Sequence, residues 1–192
     1  MTEVEDEQAE ILKVIKERVG ASGRPWNKYN GDVCCRIIKK HAEKYVPEGC
    51  KIVGPNAYAQ GIATEFDLII VDKDATPKKY TNAYPVESIR YVIEVKKRGI
   101  YGGHKDLQNT IQRIRKNFTS VTRRNPKTKC AYLTIQEVWK PKRKGSIDYF
   151  EETKKGLHPF KVFALMESRT NKPIEGMLKR FISSLQLISD KC

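Results

Sequence analysis

Two carboxylates stand where an apolar strand should not hold them. In the run Thr64–Asp72, Asp67 is set among Phe66, Leu68, Ile69, Ile70 and Val71, and in the run Arg90–Lys96, Glu94 is set among Tyr91, Val92, Ile93 and Val95. An ionised carboxylate buried in such a run costs several kcal/mol unless a cation or a set of donors compensates for it. The fold must therefore bring compensation to both segments, and this limits how they lie. Side chains alternate along a strand, so Glu65 and Asp67 are expected to share one face, and Glu94 and Lys96 to share one face. If the two strands are neighbours, four charged groups converge at one edge of a sheet. The competing reading is an ordinary cross-strand ion pair between Asp67 and Lys96, with Glu94 at an exposed position.

The rest of the chain alternates between helical and strand periods. Ala9, Ile11, Leu12, Ile15 and Val19 predict an amphipathic helix over about 5–19. A second helix is expected from an Asp32 cap, with Val33, Ile37, Ile38, Ala42 and Tyr45 on its apolar side and Pro47 as its stop. Strands follow at Lys51–Tyr58, Thr64–Asp72 and Arg90–Lys96, the last two separated by a polar segment. Beyond Gly99, Gly102 and Gly103, the stripe Leu107, Ile111, Ile114 and Phe118 marks a third helix that also carries Lys105, Arg113, Arg115 and Lys116. Strands at Cys130–Trp139 and Lys161–Glu167 come next. A closing helix is entered through Pro173, with Ile174, Met177, Leu178, Phe181, Leu185 and Ile188 as its stripe. This order suggests one α/β domain over residues 1–192, a mixed central β-sheet flanked by helices.

Charge points to the partner. Lys and Arg number 37 against 23 Asp and Glu, a net +14, although five acids and no base occupy the first ten residues. Lys96–Lys144 alone holds 15 basic and 2 acidic residues. Such a surplus repels itself unless a polyanion lies against it, so nucleic acid is the first partner to consider, DNA before RNA. The acidic start reads as a solvated helix end. It also lacks the basic and apolar regions of a secretory leader, so an intracellular location is expected. No apolar run is long enough for a membrane span. The five cysteines form no CxxC pair and the three histidines are scattered, which argues against zinc and for free, mostly buried thiols.

Converging carboxylates need a cation between them, and Asp and Glu oxygens suit Mg²⁺ or Mn²⁺. With a lysine alongside, such a set suits phosphodiester hydrolysis. The sequence Glu65-Phe66-Asp67, then Glu94-Val95-Lys96, then a glycine-broken loop and a basic amphipathic helix, resembles the core of the PD-(D/E)XK nuclease superfamily over roughly residues 31–140. The resemblance implies a restriction-endonuclease-like α-β-β-β-α-β core, here with an extra N-terminal helix and a C-terminal strand and helix. It implies a divalent-metal-dependent endonuclease cutting DNA. Asp67 and Glu94 would be metal ligands, the Val95 carbonyl a further ligand and Lys96 the catalytic lysine. Phe66 stands where the motif usually has proline. Many members also supply an acid from the helix before the sheet; Asp32 and Glu43 are the candidates, and Glu65 is the alternative that would complete the ligand set.

Lys97, Lys105, Gln108, Gln112, Arg113 and Lys116 are placed to reach a phosphate backbone. Arg123, Arg124 and the Lys140–Lys144 run suit non-specific phosphate contacts. Tyr80, Tyr84 and Tyr101 are expected in loops, where they have two readings: stacking on bases, or the local packing that is commoner for loop tyrosines. Duplex cleavage fits a homodimer. Two rival functions remain at this stage: a DNA-binding protein on the same fold that no longer cuts, and an RNA-binding protein whose acid-bearing strands are coincidental.

Overall fold

In a computed structural model of the chain, residues 3–20, 28–98, 104–136, 148–167, 170 and 172–188 are described. Helix α1 spans Glu3–Gly20 and α2 spans Lys28–Ala42. Strands β1 (Cys50–Val53), β2 (Ala57–Ala59), β3 (Glu65–Phe66), β4 (Leu68–Asp72), β5 (Ala83–Tyr84) and β6 (Ile89–Arg98) follow. Then come α3 (His104–Arg124), β7 (Lys129–Gln136), α4 (Tyr149–Leu157), β8 (Lys161–Met166) and α5 (Met177–Gln186).

Five strands form the main sheet in the order β1-β4-β6-β7-β8. The β1–β4 and β4–β6 pairs are antiparallel, whereas β6–β7 and β7–β8 are parallel. This is the mixed, helix-flanked sheet expected from the sequence, in the α-β-β-β-α-β order. Both faces are covered, so the central strands read as continuous apolar runs rather than as alternations of apolar and polar residues. Leu68, Ile70, Tyr91, Ile93, Val95 and Leu133 pack against α1, α2 and α5. On the other face Ile69, Val71, Val92, Cys130 and Tyr132 meet the stripe Leu107, Ile111, Ile114, Phe118 and Val121 of α3. Each such side chain, fully buried, contributes about 1.5–3 kcal/mol. The membrane expectation is matched in one respect: no helix among the described residues is long and apolar enough to cross a bilayer.

The two segments expected as long early strands are each broken. Lys51–Tyr58 divides at Gly54 and Pro55 into β1 and β2, and Thr64–Asp72 divides at Asp67 into β3 and β4. The detached pieces join β5 in a second, three-stranded sheet ordered β3-β2-β5. Gly54 explains the tightness of this junction. Its φ of +125° suits glycine alone, and a Cβ there would stand 2.4 Å from the Asp67 carbonyl oxygen.

Other expectations need correction. Asp32 is no cap, because α2 already begins at Lys28. The stretch before Pro159 contains α4, whose N-cap Asp148 accepts hydrogen bonds from the Phe150 and Glu151 amides. Helix α5 starts at Met177, and Pro173 instead bridges Met166. Tyr84 is a buried strand residue rather than a loop residue. Cys34, Cys35 and Cys130 are buried thiols outside any disulfide, as expected, whereas Cys50 is disulfide-bonded.

The acidic start is only partly solvated. Glu7 is buried, paired to Lys44 at 2.7 Å and to His41 at 2.9 Å, and accepts the Tyr45 hydroxyl. Burial works against its charge, but these three partners outweigh it and hold its carboxyl below the ordinary value. The neighbouring Gln8 donates to the Leu165 and Ile174 carbonyls, tying α1 to β8 and the approach to α5.

Gly54→Ala tests the junction. Overpacking against the Asp67 backbone is expected to cost about 1–3 kcal/mol of unfolding free energy, measured by chemical denaturation.

Candidate active site

The site forms where β4 and β6 part. Their pairing runs up to Leu68 opposite Ile93, and Asp67 lies one residue beyond it. The bend that separates β3 from β4 releases Asp67 from the ladder, so its side chain reaches across to β6. There Asp67 Oδ2 accepts the Val95 amide at 2.8 Å. On β6, alternation places Glu94 and Lys96 on the same side as Val92, the face covered by α3.

The Lys96 ammonium holds the arrangement together. It lies 2.6 Å from Glu94 Oε1, 3.0 Å from Asp67 Oδ2 and 3.2 Å from the Val95 carbonyl oxygen. Two carboxylates and one carbonyl thus surround a single positive charge. The competing reading of an ordinary ion pair accounts for Asp67 with Lys96 but not for Glu94, whose side chain is only 13% exposed.

The electrostatics follow from that depth. Burial pushes the Glu94 carboxyl above the ordinary glutamate value of 4.5; Lys96 offsets this only in part, and Asp67 adds to it. Burial also works against the charged form of Lys96, but Glu94 and Asp67 outweigh it and hold the ammonium above its ordinary value. The site therefore retains its lysine charge while taking up a proton on Glu94 more readily than an exposed glutamate would.

This donor set fits Mg²⁺ or Mn²⁺. It consists of oxygens alone, and they already converge on a positive charge. Tyr132 adds a second sign. It lies opposite Glu94 in the β6–β7 register, feels the charges of Glu94 and Asp67, and its hydroxyl is buried with no hydrogen-bond partner among the described residues. A buried donor left unpaired costs about 1–3 kcal/mol, a cost removed where a water or phosphate oxygen comes to lie beside it. Sequence reasoning missed Tyr132 because a tyrosine within an apolar strand reads as core.

The neighbouring helix supplies no converging acid. Among the described residues, no group of three or more His, Cys, Asp and Glu side chains comes together. From α2 it is Cys35 that sits within electrostatic reach of Asp67 and Lys96, its thiol held well above the usual range by burial and by Asp67. Asp32 lies one helical turn before Cys35 and is half-buried, whereas Glu43 is exposed and pairs with Lys39 at 3.7 Å. Glu65 is not brought in either. The strand breaks at Asp67, so the two do not share a face; Glu65 is exposed in the small sheet and accepts the Tyr58 hydroxyl at 2.7 Å.

Of the basic residues expected to meet phosphate, Arg113 is close enough to favour the ionised form of Glu94. Lys105 and Lys116 are exposed on α3, and Gln108 is half-buried. Arg123 is exposed, while Arg124 is engaged with the Gln60 carbonyl at 3.4 Å. The Lys97 side chain, Tyr101 and Lys140–Lys144 lie outside the described residues.

No protein-family model and no curated protein matches the sequence. Solved structures similar to it include two forms of NucC. NucC of P. aeruginosa ATCC27853 in its cAAA-bound form superposes with a TM-score of 0.60 at 11% identity, covering 98% of this chain and 93% of that one. NucC of E. coli MS115-1 in its apo form gives 0.55 at 15%, covering 94% and 90%. Both carry the restriction-endonuclease-like fold, which is therefore the fold of this chain.

If the three oxygens bind a divalent cation, Mn²⁺ at a hundredfold excess over its Kd stabilises the protein by about 2.7 kcal/mol, a rise in Tm of between about 5 and 11 °C. Differential scanning fluorimetry is expected to show that rise in the wild type and its loss in Glu94→Ala. Binding needs Glu94 ionised, and the folded protein holds that proton above the ordinary value. The rise should therefore fade during acidification while the pH is still above 4.5.

Proposed function

We propose that this chain is a divalent-metal-dependent endonuclease that hydrolyses DNA phosphodiester bonds. The observation that carries the reading is the convergence of Asp67, Glu94 and the Val95 carbonyl on one cationic point, at the end of a strand pair in a restriction-endonuclease-like fold. Asp67, Glu94 and the Val95 carbonyl would hold Mg²⁺ or Mn²⁺. Bound there, the ion supplies Lewis acidity toward the scissile phosphate and lowers the pKa of a water.

The chain's own groups do the rest. When its two carboxylates are engaged elsewhere, the Lys96 ammonium is free to orient the attacking water or to offset charge building on the phosphoryl oxygens. The Val95 amide fixes Asp67 in place, so that carboxylate needs little reordering. Arg113, near Glu94, and the exposed Lys105 and Lys116 on α3 would hold the phosphate backbone without reading its sequence. The net +14 charge draws the polyanion to this surface.

A second reading has one observation in its favour. With no third acid in the cluster among the described residues, the site resembles one that has lost part of its ligand set, and the protein would then bind DNA without cutting it. One experiment separates the two. In Mg²⁺ or Mn²⁺, the wild type is expected to cleave DNA, with Asp67→Ala and Lys96→Ala slower by at least about 10²–10³-fold while still retarding DNA on a gel. Retardation by the wild type with no cleavage of linear, branched or single-stranded DNA would establish the second reading instead.

A further inference from the structure

The small sheet carries a feature that the proposed chemistry does not use. Against it opens a cleft of about 730 Å³, lined by Tyr58, Gln60, Ile62, Lys78, Tyr80 and Asn82 among others. One residue of its wall is tied to the chain segment that carries Asp67, while Gln60 meets Arg124 at the C-terminal end of α3. Tyr58, on its wall, bonds Glu65, and Glu65 precedes Asp67 by two residues.

Tyr80 is costly as it stands. Its side chain is 93% exposed, and its backbone has a φ of +61°, a left-handed conformation that bulky residues rarely adopt. Neither solvation nor local geometry favours it, and strain of this kind concentrates where a ligand is held. The loop around it is nonetheless firmly tied. The Lys78 amide donates to the Ala83 carbonyl at 2.8 Å, and the Thr81 amide and hydroxyl both donate to the Lys78 carbonyl. Asn82 Nδ2 reaches the Asn56 carbonyl at 2.8 Å, and the Tyr58 amide donates to the Asn82 carbonyl at 2.9 Å. The ring is thus presented by a braced turn, with the Lys79 ammonium 4.9 Å from its centroid and Lys78 on the cleft wall.

An exposed aromatic ring with one ammonium over a face and a second lysine on the same cleft wall matches an unstacked nucleobase and its phosphates. A paired base in a duplex has both faces covered and offers no such partner. We infer that Tyr80 and this cleft form a stacking subsite for an unpaired base of the nucleic-acid strand whose backbone lies over Asp67, Glu94 and Lys96. The inference rests on the proposed nuclease reading and adds to it a preference for single-stranded, frayed or distorted DNA.

Binding of a short fluorescent oligothymidylate, followed by anisotropy in EDTA, tests the subsite apart from cleavage. Tyr80→Ala is expected to weaken that binding by between about five- and a hundredfold, Tyr80→Trp to retain it, and neither to change affinity for an abasic strand of the same length. An unchanged Tm confirms that the exposed position has not disturbed the fold. Equal binding by Tyr80→Ala and wild type, or an equal loss on the abasic strand, overturns the inference while leaving the nuclease reading intact. A wild type that binds no DNA in any form overturns both.

Discussion

A carboxylate enters the interior of a sheet only in the company of a positive charge, and in this protein that charge is the Lys96 ammonium. Removing Asp67 and Glu94 from water costs several kcal/mol per ion before any return. The return comes from three short contacts to one nitrogen and from the Val95 amide donating to Asp67. The arrangement fixes which strands must be neighbours, where β4 must begin and why the preceding residue cannot continue its ladder. It also explains Gly54, since only a residue without a side chain lets β1 end against the Asp67 backbone.

Electrostatics at this point serve two ends that oppose each other. A buried glutamate whose proton is held above its ordinary value destabilises the ionised protein, and a structural residue at this position would be better apolar. The sheet accepts that cost while covering nearly every other central residue with hydrocarbon. Glu94, with its proton affinity raised, beside a lysine and a tyrosine hydroxyl that has no partner among the described residues, belongs to the kind of cluster that packing alone does not call for. The lysine is at once the group that makes the unliganded site tolerable and the group best placed to act when a stronger cation takes its acceptors.

The parts of the fold legible in the sequence were those governed by a single strong period. The α3 stripe lies buried as its spacing required, and alternation put Glu94 and Lys96 on one face. Asp67 was legible as an anomaly, but its partner Glu65 was misplaced, because alternation fails at a bend and no residue between Thr64 and Leu68 announces one. Strands of two or three residues, such as those of the small sheet, are too short for any period to register. Helix α4 escaped for a related reason: its buried Phe150, Thr153 and Leu157 make a thin stripe through a lysine- and glutamate-rich segment. The expected acid from α2 illustrates a different limit. Helical spacing ranks faces, yet only the packed structure shows that Cys35 of α2 lies within electrostatic reach of Asp67, Lys96 and Asp32.

The three oxygens now shared by Lys96 are proposed as a divalent-cation site, and diffraction from crystals soaked in Mn²⁺ would locate the ion. An anomalous peak is expected about 2.1 Å from an oxygen of Asp67, an oxygen of Glu94 and the Val95 carbonyl, with the Lys96 nitrogen drawn away from at least one of its acceptors. A clear map with no peak there, and Lys96 still bonded to all three oxygens at saturating Mn²⁺, would contradict it.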